Sequence, residues 1–253
     1  MDQAEKARQF SALHVSGEPL ILYNVWDAGS ARAVAEAGAK AIATGSWSMA
    51  AAQGYPDGEA MPLDTIESMV QRVAQTVDLP VTVDFEGAYG AEPEEAAANV
   101  ARIVSAGAIG INFEDGIIGG NGIHDTAFQC RRIEAIRAEA GTLGVTLFIN
   151  ARTDLFLQAE SAASHAALLE AATERAQAYA QAGASGFFVP GLADEHVIKA
   201  LCAASPQPVN IMTREGGLST SRLGTLGVRR ISYGPLPYRR CMQEFSRQAS
   251  AVM

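Results

Sequence analysis

The chain has 253 residues, 48% of them hydrophobic and 19% charged, with a formal net charge of −9. That is enough apolar sequence for one large core, and an acidic balance without any block of lysine or arginine argues against nucleic acid or an anionic membrane surface as a partner. Three scattered cysteines, Cys130, Cys202 and Cys241, form no CxxC pair, which fits a reducing compartment and no zinc site.

The N-terminus, "MDQAEKARQF", is charged and lacks an apolar leader core, and no run reaches membrane-spanning length, so a cytoplasmic protein is expected. From there, short apolar runs alternate with longer alanine-rich amphipathic stretches. The predicted strands are "LILYN" (20–24), "AIATG" (41–45), "VTVDF" (81–85), "GINFE" (110–114), "TLFIN" (146–150), "GFFVP" (186–190), "VNIM" (209–212) and "RRISYG" (229–234). Helices are predicted near 28–37, 63–77, 92–105, 126–139, 162–182, 193–203, 218–224 and 236–249. Near-continuous apolar strands, each followed by a helix, indicate a parallel sheet covered by helices. Eight such units in one domain, residues 1–253, predict a (β/α)8 TIM barrel, with a doubly wound open sheet as the competitor. The repeated "EAGAKAIA" (36–43), "SAGAIGIN" (105–112) and "QAGASGFF" (181–188) read as helix end, left-handed glycine and next strand.

Catalytic residues of such a barrel gather at the C-terminal ends of its strands, and there this chain is polar. Asn24 and Asp27 follow strand 1, "TGSWS" (44–48) follows strand 2, and Asp84 and Glu86 follow strand 3. Glu114 and Asp115 end strand 4, "NARTD" (150–154) ends strand 5, and Asn210 lies on strand 7. A lone acid after a strand is ordinarily a helix cap. Three on neighbouring strands would repel one another without a cation, so Asp84, Glu86 and Glu114 are the expected site for Mg2+, or Mn2+, directly or through water. Arg152 reads either as a salt bridge to Asp154 or Asp115 or as a two-pronged clamp on a substrate carboxylate. Gly45 and Ser46 offer oxyanion donors. Trp47 would wall the pocket or simply pack.

These residues resemble the isocitrate lyase/phosphoenolpyruvate mutase superfamily, from "YNVWDAGSARAVAEAGAKAIATGS" through "GYPD" (54–57) to "NFED", "ARTD" and "VNIM". The resemblance implies a (β/α)8 barrel, an Mg2+ site and a 2-oxo acid or its enolate held through metal and arginine. It also implies a homodimer or homotetramer in which the C-terminal helix is swapped between subunits. By position, Asp84, Glu86 and Glu114 match the metal-shell acids and Arg152 the carboxylate-binding arginine. Thr44, Gly45 and Ser46 match the loop gripping that carboxylate, Asp57 closes "GYPD", and Asn210 matches a polar pocket residue. The lyases' Lys-Lys/Arg-Cys-Gly-His loop is replaced by "GNGIH" (120–124): His124 remains, but Gly122 stands for the cysteine. Pro190 stands where lyases favour Glu and mutases His. The expected function is a Mg2+-dependent carbon–carbon lyase or decarboxylase of a small 2-oxo or 2-hydroxy acid, acting through a metal-stabilised enolate, with Tyr23, Tyr55 or His124 as acid or base. The alternatives are phosphorus–carbon chemistry on a phosphonopyruvate-type substrate, or a barrel that binds a 2-oxo acid without turning it over.

Overall fold

Short runs rich in β-branched and aromatic residues become strands here because each finds a parallel partner. They are β1 (Leu20–Leu22), β2 (Ile42–Ala43), β3 (Val81–Asp84), β4 (Gly110–Glu114), β5 (Phe148–Arg152), β6 (Gly186–Phe188), β7 (Val209–Met212) and β8 (Arg230–Ser232). The computed structural model describes residues 1–159 and 161–253. Its strands run in the order β1-β8-β7-β6-β5-β4-β3-β2, every neighbour parallel. Beyond the end of β1, Val25 joins the two ends of that order. Its N–H donates to Ala43 O at 2.8 Å, and its carbonyl accepts from Gly45 N–H at 3.1 Å. Asn24 reinforces the seam, donating to Thr44 O (2.7 Å) while its Oδ1 accepts from Tyr233 and Gly234 N–H (2.9 Å each). The expected (β/α)8 barrel is the fold, and the open sheet is excluded.

The helices are α1 (Gln3–Ala12), α2 (Ala28–Glu36), α3 (Ser46–Ala52), α4 (Leu63–Thr76), α5 (Pro93–Ser105) and α6 (Thr126–Thr142). A 3-10 turn (Ala162–Leu168) leads into α7 (Leu169–Gln181), followed by α8 (Glu195–Ala204), α9 (Thr220–Thr225) and α10 (Leu236–Ser250). Two were not foreseen, α1 and α3. The first is anchored by tertiary contacts: Gln3 Nε2 donates to Val104 O and Ala108 O, and Phe10 meets Phe148 edge-on at 5.1 Å. Asp27 is a helix cap, its Oδ1 accepting from Ser30 N–H at 2.7 Å. Gly38, Gly107 and Gly183, one in each Ala-Gly repeat, have φ of 93°, 111° and 101°, the left-handed stop that repeat implies.

Two displacements matter for the site. Strand β5 starts two residues later than predicted and continues to Arg152, which its register sets opposite Glu114. Helix α10 is rooted by Tyr238 against Trp26 and Trp47, but from Arg239 onward every residue except Ala249 is exposed, Phe245 by 70%. The outer face of β1 is bare: Ile21 is exposed, and a cavity of about 490 Å³ lies over Leu13, Leu20, Ile21 and Val34. Among the described residues no helix is long and apolar enough to cross a membrane.

Candidate active site

Because side chains alternate along a strand, residues two apart share a face. The inward set of β4 is Gly110, Asn112 and Glu114, and that of β5 is Phe148, Asn150 and Arg152; paired across the ladder, these build the floor of the barrel mouth. Above the floor lies a cavity of about 180 Å³, bordered by Ser46, Asp57, Asp84, Asn112 and Arg152 on one side and by Phe188, Pro190 and Met212 on the other.

Two acids line this cavity, Asp84 and Asp57, and the carboxylate of Asp84 is fixed from three directions. Oδ2 accepts from Ser46 N–H (3.1 Å) and Ser46 Oγ (2.8 Å), and Oδ1 accepts from Asn112 Nδ2 (3.2 Å). Asn112 can only point its amide nitrogen at Asp84, because its Oδ1 accepts from Asn150 Nδ2 (2.8 Å) and Arg230 Nη2 (2.9 Å). Arg230 is fully buried, and among the described residues it has no carboxylate within salt-bridge distance and its Nε and Nη1 find no partner. Burial lowers its pKa to about 9 against the opposing pull of Asp84. The side chain of Asn150 also requires Gly186 across the ladder, since a Cβ there would lie 2.6 Å from Asn150 Oδ1.

The other two expected metal acids stand behind Asp84 and do not line the cavity. Glu86 sits in a left-handed conformation (φ 50°), its Oε1 accepting from Gly58 N–H (2.9 Å) and Glu59 N–H (3.1 Å) and its Oε2 from Tyr89 OH (3.2 Å). Burial first, then Asp57 and Asp84, push its pKa up to about 7. Glu114 Oε2 lies 2.7 Å from Arg152 Nη1. Burial raises its pKa well above the carboxylate range, the acids Asp154, Asp84 and Glu86 adding to the effect while Arg152 opposes it. Among the described residues no three His, Cys, Asp or Glu side chains form a ready ligand cluster. Of the three expected acids only Asp84 lines the cavity, where Asp57 joins it, while Glu86 is engaged by backbone N–H groups and Glu114 by Arg152, leaving those two no direct approach to it except through water.

Arg152 makes the structural brace to Asp154 and still borders the cavity. Its Nε and Nη2 donate to Asp154 at 2.6 and 3.0 Å, a two-pronged brace, and Nη1 meets Glu114. A guanidinium has five N–H bonds, so one on each Nη is left over for the cavity that Arg152 lines. Burial works against its charge, but Glu114, Asp154 and Asp84 outweigh that and hold its pKa raised. The alternative brace to Asp115 is not made: Asp115 accepts from Arg175 Nη1 (2.9 Å), Tyr179 OH (2.8 Å) and Asp154 N–H (3.0 Å).

The remaining expected residues divide. Gly45, Ser46, Trp47 and Asp57 line the cavity. Asp57 keeps an exposed surface at the rim, yet crowding by protein and by Asp84 raises its pKa, with Arg152 pulling it back. Thr44 is buried behind the cavity, its Oγ1 accepting from Asp84 N–H (3.1 Å). Asn210 lies beneath the cavity, bonded to Asn150 and to the carbonyls of Ile211 and Arg230. Tyr23 and His124 are not brought in. Tyr23 faces outward against Tyr233, at 5.0 Å, because the residues after Leu22 have left the strand. His124 packs on Phe128 and lines a separate cleft with Glu59 and Arg132, its loop tied down where His124 N–H donates to Asp115 O (2.8 Å). Sequence reasoning missed Asn112 and, through it, Arg230, which hold Asp84 in place; the two-residue spacing of Asn112 from Glu114 was the available signal.

A family model described as phosphoenolpyruvate phosphomutase matches residues 10–253. An uncharacterized protein of Mycobacterium tuberculosis H37Rv is 33% identical over 243 residues, covering 96% of this chain and 88% of its own. Oxaloacetate decarboxylase of Rhodopseudomonas palustris TIE-1 is 30% identical over 171 residues, 65% of this chain and 56% of its own length. The crystal structure of a Burkholderia cenocepacia J2315 protein, provisionally named a phosphonomutase, matches over 100% of both chains at 46% identity with a TM-score of 0.97.

Proposed function

The chain belongs to the phosphoenolpyruvate phosphomutase family, within the isocitrate lyase/phosphoenolpyruvate mutase superfamily, and we propose that it is a Mg2+-dependent carbon–carbon lyase or decarboxylase of a small 2-oxo or 2-hydroxy carboxylic acid. The observation that carries this reading is the pairing, in one cavity, of the Asp84 carboxylate with the free N–H groups of Arg152. The donor set suits Mg2+, which keeps several waters and takes one or two carboxylates. Asp84 would hold it, with Asp57 beside it and Glu86 and Glu114 supplying negative charge from behind. Bound there, the cation would act as a Lewis acid towards the 2-oxo group.

The side chains account for the rest. Arg152 binds and orients the substrate carboxylate, braced by Asp154 so that its fork keeps one direction. For a 2-oxo acid with a carboxylate on C3, the C3–carboxylate bond breaks, CO2 leaves, the electron pair passes into the 2-oxo group as an enolate, and C3 must then take a proton. Asp57, with its raised pKa, is the lining group suited to carry that proton. Phosphorus–carbon chemistry is the weaker alternative, because a phosphoryl group calls for several cationic or N–H donors and Arg152 is the single cationic side chain in the lining among the described residues. Simple 2-oxo acid binding is favoured by a different observation: the lining has no His, Cys, Tyr or Lys. Incubating the protein and Mg2+ with oxaloacetate, substituted malates, isocitrate and phosphonopyruvate separates the three. Release of pyruvate or another 2-oxo acid from a carbon skeleton supports the lyase; phosphate or phosphoenolpyruvate from phosphonopyruvate, or binding without product, refutes it.

The same reading extends to assembly. The exposed apolar side chains of α10, Met242 and Phe245, and the bare outer face of β1 complement each other, so a second copy's α10 would cover that face in a homodimer or homotetramer.

A further inference from the structure

Arg152 ends β5, and the wall facing it across the barrel mouth has a different chemistry. In the closed strand order β1 stands four strands from β5, and β8 and β2 stand three each. The face built on those three strands is lined by Asn24, Gly45, Ser48, Ser232 and Gly234, none of them charged. Its amides are mostly spent. The N–H groups of Gly45 and Ser46 donate to Val25 O and Asp84 Oδ2, each at 3.1 Å, and Asn24 is committed to Thr44, Tyr233 and Gly234.

Two hydroxyls on this face are unspent. Ser48 is 1% exposed, and its Oγ finds no partner among the described residues. Ser232 is also buried, and its Oγ receives one long contact from Asn210 Nδ2, at 3.5 Å. Beside Ser48 the bare Cα of Gly45 leaves a recess, where a Cβ would stand 3.7 Å from Ser48 Oγ and 3.8 Å from Gly234 O. The backbone does not call for glycine here, since Gly45 has φ −133°, which any residue adopts. A ligand atom in that recess would lie between a hydroxyl donor and a carbonyl acceptor. An alcohol, which accepts and donates, suits both; a carboxylate oxygen would meet Gly234 O unfavourably. A buried hydroxyl without a partner is costly, and a ligand oxygen removes that cost.

We propose, resting on the reading above, that Ser48 binds an alcohol oxygen of the substrate, and that the substrate is a 4-hydroxy-2-oxo acid whose carboxylate lies on Arg152. Such a molecule carries both the electron sink and the leaving group that a carbon–carbon lyase requires. The C3–C4 bond breaks, and the 4-hydroxyl releases its proton to the carboxylate of Asp57, which lines the same cavity. The 4-oxygen, still held by the Ser48 hydroxyl, becomes the carbonyl oxygen of a departing aldehyde. The electron pair of the broken bond enters the 2-oxo group as an enolate, and the proton returns from Asp57 to C3, leaving a shorter 2-oxo acid.

Two assays in saturating Mg2+ test this. The first follows product release from 4-hydroxy-2-oxopentanoate, and pyruvate and acetaldehyde in equal amounts are expected. The second is titration calorimetry with oxalate, which presents the acid head alone. Ser48→Ala removes one neutral hydrogen bond, so KM for the hydroxy acid should rise at least about threefold while oxalate affinity stays within about twofold of wild type. Ser48→Cys, close in size but a weak donor, should give the same split, and it serves if the alanine variant does not fold. No pyruvate from 4-hydroxy-2-oxopentanoate, with oxalate bound, overturns the substrate assignment and leaves the head assignment standing. No binding of oxalate overturns both. An unchanged KM in the variants, or an equal loss of oxalate affinity, takes Ser48 off the alcohol and refutes the proposal.

Discussion

Replacing Arg152 with Lys separates its two duties. The guanidinium spans Asp154 (2.6 and 3.0 Å) and Glu114 (2.7 Å) while keeping N–H groups for a ligand. A lysine ammonium is a compact point charge and cannot serve all three directions. If it stays with the buried acids, the ligand loses a charge-assisted hydrogen bond, about 1.5–3 kcal/mol, which is about tenfold to 150-fold in affinity. If it turns to the ligand, Glu114 or Asp154 is left buried and unpaired at about 1–3 kcal/mol of stability. Oxalate titration calorimetry in saturating Mg2+, run beside thermal melts, reads both quantities. The expected outcome is at least a tenfold weaker Kd together with a lower melting temperature. A Kd within twofold of wild type, with only the melt shifted, would return Arg152 to the scaffold and refute the clamp.

Asp84→Ala removes the proposed ligand carboxylate, which lines the cavity beside Asp57, so Mg2+ affinity by calorimetry should fall by at least tenfold with the circular dichroism spectrum unchanged; unaltered affinity sinks the metal assignment. In chelator, stability should fall as pH rises from about 4.5 to about 7, because the folded protein retains a proton on Glu86 that the unfolded chain has released. The full effect is on the order of 3 kcal/mol, Asp57 and Glu114 shift in the same direction, and Mg2+ should flatten the profile; a melting temperature that is level or rising across that window contradicts the burial argument. Light scattering at micromolar concentration should give a dimer or larger, and Phe245→Glu should weaken it, since Phe245 is 70% exposed on a helix that leaves its own barrel; a monomeric wild type refutes the exchange.

The barrel was legible because its signals are local. Apolar strand runs, amphipathic stretches and helix-ending glycines such as Gly107 are properties of neighbours in the chain, and they place eight strands within two residues of their observed positions. The acids and Arg152 could be named for the same reason, as polar residues where strands end. What each of them does depended on atoms far away in sequence. Glu86 read as a metal-shell acid, and only the fold shows that the N–H groups of Gly58 and Glu59 hold its carboxylate behind the cavity. Tyr23 and His124 looked like acid–base groups, but the chain turns them away from the cavity. Arg230 read as an ordinary strand residue, and only the closed barrel carries it under Asn112, and so to Asp84, across 118 positions of sequence. The sequence by itself determined the backbone periodicity and the inventory of charges. The tertiary structure alone decided which of those charges remain unspent, because a carboxylate or guanidinium is available to a ligand only after every buried N–H and acid around it has been satisfied.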